Sequence, residues 1–156
     1  MSELTEALKR LRTTAPARIQ SSIELGTGLV DGYTVFDSPL GNIAIAFNPI
    51  GVSAVDLADR GLADRFASRF GRALVPAEPP RAWGGRIEQA LDRGRPGSLP
   101  IDYRSVTAFQ RQVLEAAASI PRGQVRPYSW LARRAGNPRA VRAAGSTMAR
   151  NPVPLI

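Results

Sequence analysis

The chain has no cysteine and no histidine in its 156 residues, and Lys9 is its single lysine. Without thiols there is no disulfide, no thiolate metal site and no cysteine nucleophile. Without imidazole the commonest metal ligand and general base is missing too. Chemistry within these residues therefore falls to carboxylates, hydroxyls, tyrosine and arginine. No paired carboxylates, phosphate-cradling glycine loop or metal-ligand spacing stands out, and Asp56, Asp59 and Asp64 read as strand-end and helix-cap residues. No apolar run approaches the ~20 residues of a membrane span, and no signal-peptide pattern opens the chain, so a cytoplasmic protein is expected. Acid is scarce where base is not. Residues 104–156 carry nine arginines against one acid, Glu115, whereas residues 1–103 balance twelve basic against twelve acidic groups, so the whole net charge of +8 falls in the last third. One surface is thus expected to face a polyanion, since each arginine beside a phosphate releases condensed counterions.

What is present suits an ordinary globular chain, with 44% hydrophobic and 22% charged residues, enough for a sizeable core. Leu4, Leu8 and Leu11 predict a short amphipathic helix over 2–12, part of an N-terminal extension, 1–30. From Tyr33 to Leu57 the period changes to two, with turns at Ser38-Pro39-Leu40-Gly41 and Asn48-Pro49-Ile50-Gly51, where proline sets φ and glycine tolerates positive φ. This predicts a three-strand antiparallel meander. Leu62, Phe66 and Phe70 predict a helix over one face of that sheet, ending at Gly71. The Pro- and Gly-rich stretch 73–106 reads as a partly packed linker around a possible helix at Trp83, Ile87 and Leu91. An α+β N-terminal domain with its linker is placed at 31–100 and a helical domain at 101–156, where Thr107 caps a helix carrying Phe109, Val113, Leu114 and Ala117.

Tyr128 to Ala135 has helical character and Gly136 suits a helix C-terminus. Asn137-Pro138 offers an N-cap and a first-turn proline for a second helix to about Ala149. Helix, short turn, helix is a helix-turn-helix pattern. Arg139 and Arg142 fall one turn apart on one face, and Ala143, Ala144 and Gly145 would leave that helix bare enough to approach a groove closely.

The residue order is more specific than the pattern. Ile120-Pro121-Arg122-Gly123-Gln124-Val125, Tyr128, Leu131-Ala132, Gly136-Asn137-Pro138-Arg139-Ala140-Val141-Arg142-Ala143 and Asn151-Pro152-Val153-Pro154 resemble the DNA-binding and active-site domain of the alkylguanine-DNA alkyltransferases, or methylated-DNA-protein-cysteine methyltransferases. Upstream, Asp37-Ser38-Pro39-Leu40-Gly41, Ile43-Ala44-Ile45-Ala46 and Gly51-Val52-Ser53-Ala54-Val55-Asp56 resemble that family's N-terminal sheet domain more weakly, and residues 1–30 are not covered. The resemblance implies an α+β fold with a ribonuclease H-like sheet and a winged-helix-like C-terminal unit. It implies a monomer that uses no metal or cofactor, acts on nucleoid DNA and engages duplex carrying alkylated guanine from the minor groove, with Arg139, Arg142, Ala143, Ala144, Gly145 and Ser146 toward the DNA. In such proteins the lesion is flipped out, at a cost of a few kcal/mol of stacking and pairing, and its alkyl group moves irreversibly to a cysteine. Arg142 matches the arginine that fills the vacated stack. Tyr128 matches the tyrosine that helps rotate the nucleotide and protonates the leaving guanine. Asn151 matches the asparagine of the turn supporting the nucleophile, and Met148 the apolar wall of the base pocket.

The departure from the pattern concerns activity. The family's Pro-Cys-His-Arg motif would start two residues past Ile156, and its later glutamate is missing too, so the chain is expected to bind and flip but not to transfer. The end at Ile156 reads as truncation, with the apolar residues of 151–156 left without following structure to pack against. A non-catalytic alkyl-lesion sensor is the alternative, although such sensors resemble the second domain alone. A transcription regulator with an ordinary helix-turn-helix would need polar base-reading side chains where Ala143-Ala144-Gly145 stand.

Overall fold

The computed structural model describes residues 23–38 and 41–156. The helix predicted over 2–12 lies outside the described residues, as do Pro39 and Leu40 of the first turn. After a helical turn at 23–27 come β1 (Val30–Phe36), β2 (Ile43–Phe47), β3 (Val52–Leu57), α1 (Leu62–Phe70), β4 (Ala73–Pro76), α2 (Gly84–Arg93), α3 (Ala108–Ala118), α4 (Tyr128–Arg134) and α5 (Val141–Ala149).

The meander forms as its alternation predicts, and a fourth strand joins it, giving the order β3-β2-β1-β4. β4 runs parallel to β1, with Val30 opposite Ala73 and Gly32 opposite Val75. A parallel pair needs a crossover, which α1 supplies. The stretch expected as linker thus provides a strand and then α2, whose Ile87 is fully buried. The sheet is covered on both faces, so every residue of β2 is buried. Phe66 of α1 packs on Ala46 and Ala54 on one face. On the other, Ile45, Val52 and Val55 meet Ile87, Ala90 and Leu99.

Val153 and Ile156 belong to that second cluster. The last apolar residues, expected to lack following structure to pack against, find preceding structure instead, because Val153 and Ile156 turn back onto the sheet. Their route is set by β3, an edge strand whose outer amides need partners. Val55 N–H donates to the Pro152 carbonyl at 2.8 Å, and Val52 N–H to the Pro100 carbonyl at 2.9 Å. Gly51 also has a different reason from the predicted one. It is not among the positive-φ glycines, but a Cβ there would lie 2.6 Å from the Pro100 carbonyl oxygen, so the close passage of 100–101 requires glycine.

The same passage carries a buried ionic knot. Asn48 Nδ2 donates to Asp31 Oδ2 at 3.1 Å and to Asp102 Oδ2 at 2.8 Å. Arg72 Nε meets Asp31 Oδ1 at 2.7 Å, and Arg104 Nη2 meets Asp102 Oδ2 at 2.8 Å. Burial by itself would raise the Asp102 pKa, but hydrogen bonds from the Arg104 side chain and backbone and from Asn48 hold it down at about 2. Among the described residues no buried side-chain nitrogen or oxygen lacks a partner, which is the condition for tolerating such charges in a core.

Candidate nucleic-acid interface

The helical third is built by its caps. Thr107 accepts from Gln110 N while the Gln110 side chain accepts from Thr107 N, a full capping box that starts α3 where predicted. At the far end of α4, Gly136 sits at φ +75°. Gly136 N–H donates to the Arg133 carbonyl and Asn137 N–H to the Ala132 carbonyl, the paired bonds of a Schellman termination. Small residues let the helices close together: Ala116, Ala132, Ala135 and Ala144 pack with Val113 and Leu131 in one cluster, and Met148 lies against it.

The second helix starts later than predicted. Asn137 does not cap it: the helix is entered from Ala140 with no side-chain cap bond, and the Asn137 carbonyl accepts Ala140 N–H at 3.0 Å. That bond closes a β-turn with Pro138 in its second position. Helix α5 begins at Val141, so Arg139 stands in the turn before the helix rather than on it. It still converges with Arg142. Both line a cleft of about 560 Å³ with Arg150, Thr107, Gln110 and Ser146, and no acidic residue contributes to its wall.

Ala144 is corrected as well. It is fully buried in the helical core and presents no side chain to a groove, since it faces α3 and α4. Ala143 beside it is exposed, and Ser146 is half-buried. Gly145 faces Tyr128: a Cβ there would meet the tyrosine ring at 3.0 Å from Cδ2 and 3.2 Å from Cε2. The bare position thus seats an aromatic ring against α5. That ring remains 52% exposed, so Tyr128 is neither a core residue nor a free one. Asn151 Oδ1 accepts Val153 N–H at 3.0 Å, folding the turn that follows α5.

Arg150 was not among the residues singled out from the sequence, although Arg142, Ser146 and Arg150 at successive spacings of four were the available signal. Of the nine arginines in 104–156, Arg104 pairs with Asp102 and Arg111 with Glu115. Among the described residues the other seven make no salt bridge; Arg122 is tied to the Asp92 carbonyl, and the remaining six leave their charge to an external anion. No helix of the described residues is long and apolar enough to cross a membrane.

These features define a class: an α+β protein whose C-terminal helices form a helix-turn-helix unit with a cationic, acid-free cleft. Comparison with known proteins narrows it. The model of the 6-O-methylguanine DNA methyltransferase DNA-binding domain matches residues 108–156. The methylated-DNA–protein-cysteine methyltransferase of Mycolicibacterium paratuberculosis is 32% identical over 129 residues, which cover 80% of this chain and 73% of that protein. The bifunctional transcriptional activator/DNA repair enzyme Ada of Escherichia coli is 35% identical over 136 residues, 84% of this chain but 38% of Ada's length. Among solved structures, Mycobacterium tuberculosis OGT in complex with DNA is similar with a TM-score of 0.56 at 25% identity, over 78% of this chain and 71% of that one. The chain belongs to the methylated-DNA–protein-cysteine methyltransferase family.

Proposed function

We propose that this chain recognises alkylated guanine in duplex DNA from the minor groove, as a monomer, and extrudes the base toward Tyr128. The observation that carries this reading is the acid-free cleft in which Arg139, Arg142 and Arg150 converge beside the helix that seats the Tyr128 ring. Unpaired guanidinia supply phosphate affinity without reading sequence, and the planar side chain of Arg142 can occupy a vacated base step. In this reading Tyr128 is the proton donor to the departing guanine, Met148 lines the base pocket, and the Asn151 turn after α5 supports the site. Among the described residues no His/Cys/Asp/Glu cluster could hold a metal ion. The reading needs none.

The family name implies a DNA-repair transfer of the methyl group from the guanine oxygen to a protein cysteine. These 156 residues contain no thiol, so in this reading they bind and flip but do not accept the group. The missing thiol also fits a lesion sensor, which would bind the same DNA without transfer. The deciding measurement is binding to duplexes with and without a single O6-methylguanine over a range of salt. Tighter binding to the lesion at every salt concentration is expected, with a log–log salt slope set by the phosphates contacted, about 0.9 per phosphate. Equal affinity for both duplexes would refute lesion recognition.

A further inference from the structure

Each of two arginines caps the C-terminal end of a helix in the opposite half of the molecule. Arg69, on α1 beside the sheet, donates from Nη2 to the carbonyl of Arg150, the residue that closes α5. Arg122, in the loop after α3, donates from Nη1 to the carbonyl of Asp92 in the last turn of α2, at 2.6 Å. The last carbonyls of a helix have no partner within it and carry the negative end of its dipole, so a guanidinium is the best-suited cap. Among the described residues neither arginine forms a salt bridge to a carboxylate. Arg69 instead lies over the Phe70 ring at 5.1 Å, which holds its reach in place.

The first contact leads to Arg150 in the cleft wall, and the second to the loop that precedes Tyr128. Arg150 adjoins Asn151, whose turn is also pinned where Val55 N–H meets the Pro152 carbonyl. The loop that Arg122 anchors runs through Gln124, whose amide donates to the Pro121 carbonyl, and enters α4 at Tyr128. The apolar cores do little to fix the relation of the two halves, because the helical cluster and the sheet clusters share no residue and, of the last segment, the sheet clusters include Val153 and Ile156 alone.

We propose that Arg69 and Arg122 are positioning residues that make the sheet half the scaffold of the base cleft, Arg69 holding the Asn151 turn and Arg122 the approach to Tyr128. The inference rests on the preceding reading for what the cleft holds, but not for the tether itself. The test compares Arg69→Ala, Arg122→Ala and their lysine counterparts with the parent chain, by amide hydrogen exchange and by binding to duplex with and without O6-methylguanine. Arg69→Ala should speed exchange at Asn151 and Val153 about tenfold, as expected for one lost hydrogen bond, with the strands unchanged. Arg122→Ala should do the same at 123–128. Each alanine variant should lose about tenfold in preference for the lesion while keeping its affinity for undamaged duplex and its salt slope, and lysine should restore the preference. Unchanged exchange would overturn the proposal. So would a salt slope lowered by about one, which would make the arginine a phosphate contact. If the parent chain shows no lesion preference, the function proposed above fails, and the exchange measurement alone decides the tether.

Discussion

Replacing Gly145 by alanine separates the stability of α5 from the placement of Tyr128. The new Cβ would sit 3.0 Å from Cδ2, 3.2 Å from Cε2 and 3.6 Å from Cγ of that ring. Carbon pairs prefer roughly 3.5–4.0 Å, so the ring must retreat by about half an ångström. Because it is half-exposed it has somewhere to go, and the clash need not be stored as strain. Against this, alanine in a helix interior is better than glycine by about 0.8–1.0 kcal/mol. The net change in stability should lie between zero and about +1 kcal/mol, a melting temperature unchanged or raised by up to about 4 °C for a chain of this size. Lesion preference should fall all the same, because the ring that meets the extruded base has moved. Thermal unfolding followed by circular dichroism, with the duplex titrations on the same sample, reads both. A variant that melts lower, or one that keeps its full lesion preference, would show that Gly145 does not serve to seat Tyr128.

Arg142→Ala should weaken binding to lesion-bearing duplex more than Arg133→Ala, since Arg142 lines the cleft and Arg133 does not; equal losses would leave only nonspecific phosphate contact. Val153→Ala should cost about 2 kcal/mol and lower the melting temperature by about 4–8 °C, because that side chain fills the sheet core; a change within about 0.5 kcal/mol would mean that the last segment does not dock. Asp102 has a folded pKa depressed to about 2, so its stabilising contribution is complete above the unfolded value near ~3.9 and is lost as pH falls toward about 2. The loss should be about 2–3 kcal/mol, less what solvent screening removes at the half-exposed Arg104. Acid unfolding of Asp102→Asn should accordingly be flatter than that of the parent between about pH 4 and 2, and identical slopes would refute the assignment.

The sequence by itself determined whatever depends on neighbours along the chain. Strand β2, the Leu62–Phe70 helix with its Gly71 stop, the Thr107 cap and the Gly136 termination all follow from periodicity and from the backbone preferences of glycine, proline and threonine, and each stands where it was expected. The cationic last third and the order of residues around Tyr128, Arg142 and Asn151 were legible in the same way. The tertiary structure decided what depends on partners far apart. Ala73–Pro76 is too short and too proline-marked to announce a strand, and it becomes one because β1 offers a free edge. The late start of α5 follows from the 137–140 turn, which Ala140 N–H closes on the Asn137 carbonyl. The burial of Ala144, the contact of Gly145 with Tyr128 and the convergence of Arg139 with Arg150 depend on three helices closing through small side chains. Val153 and Ile156 find the sheet because β3 has unpaired amides, and Asp31 and Asp102 are tolerated inside because Asn48 and Arg72 reach them across many residues of chain, while Arg104 pairs with Asp102 from two residues away. Local preference is written in a few adjacent residues, whereas the pairing of edges, charges and helix ends exists only once the chain has closed on itself.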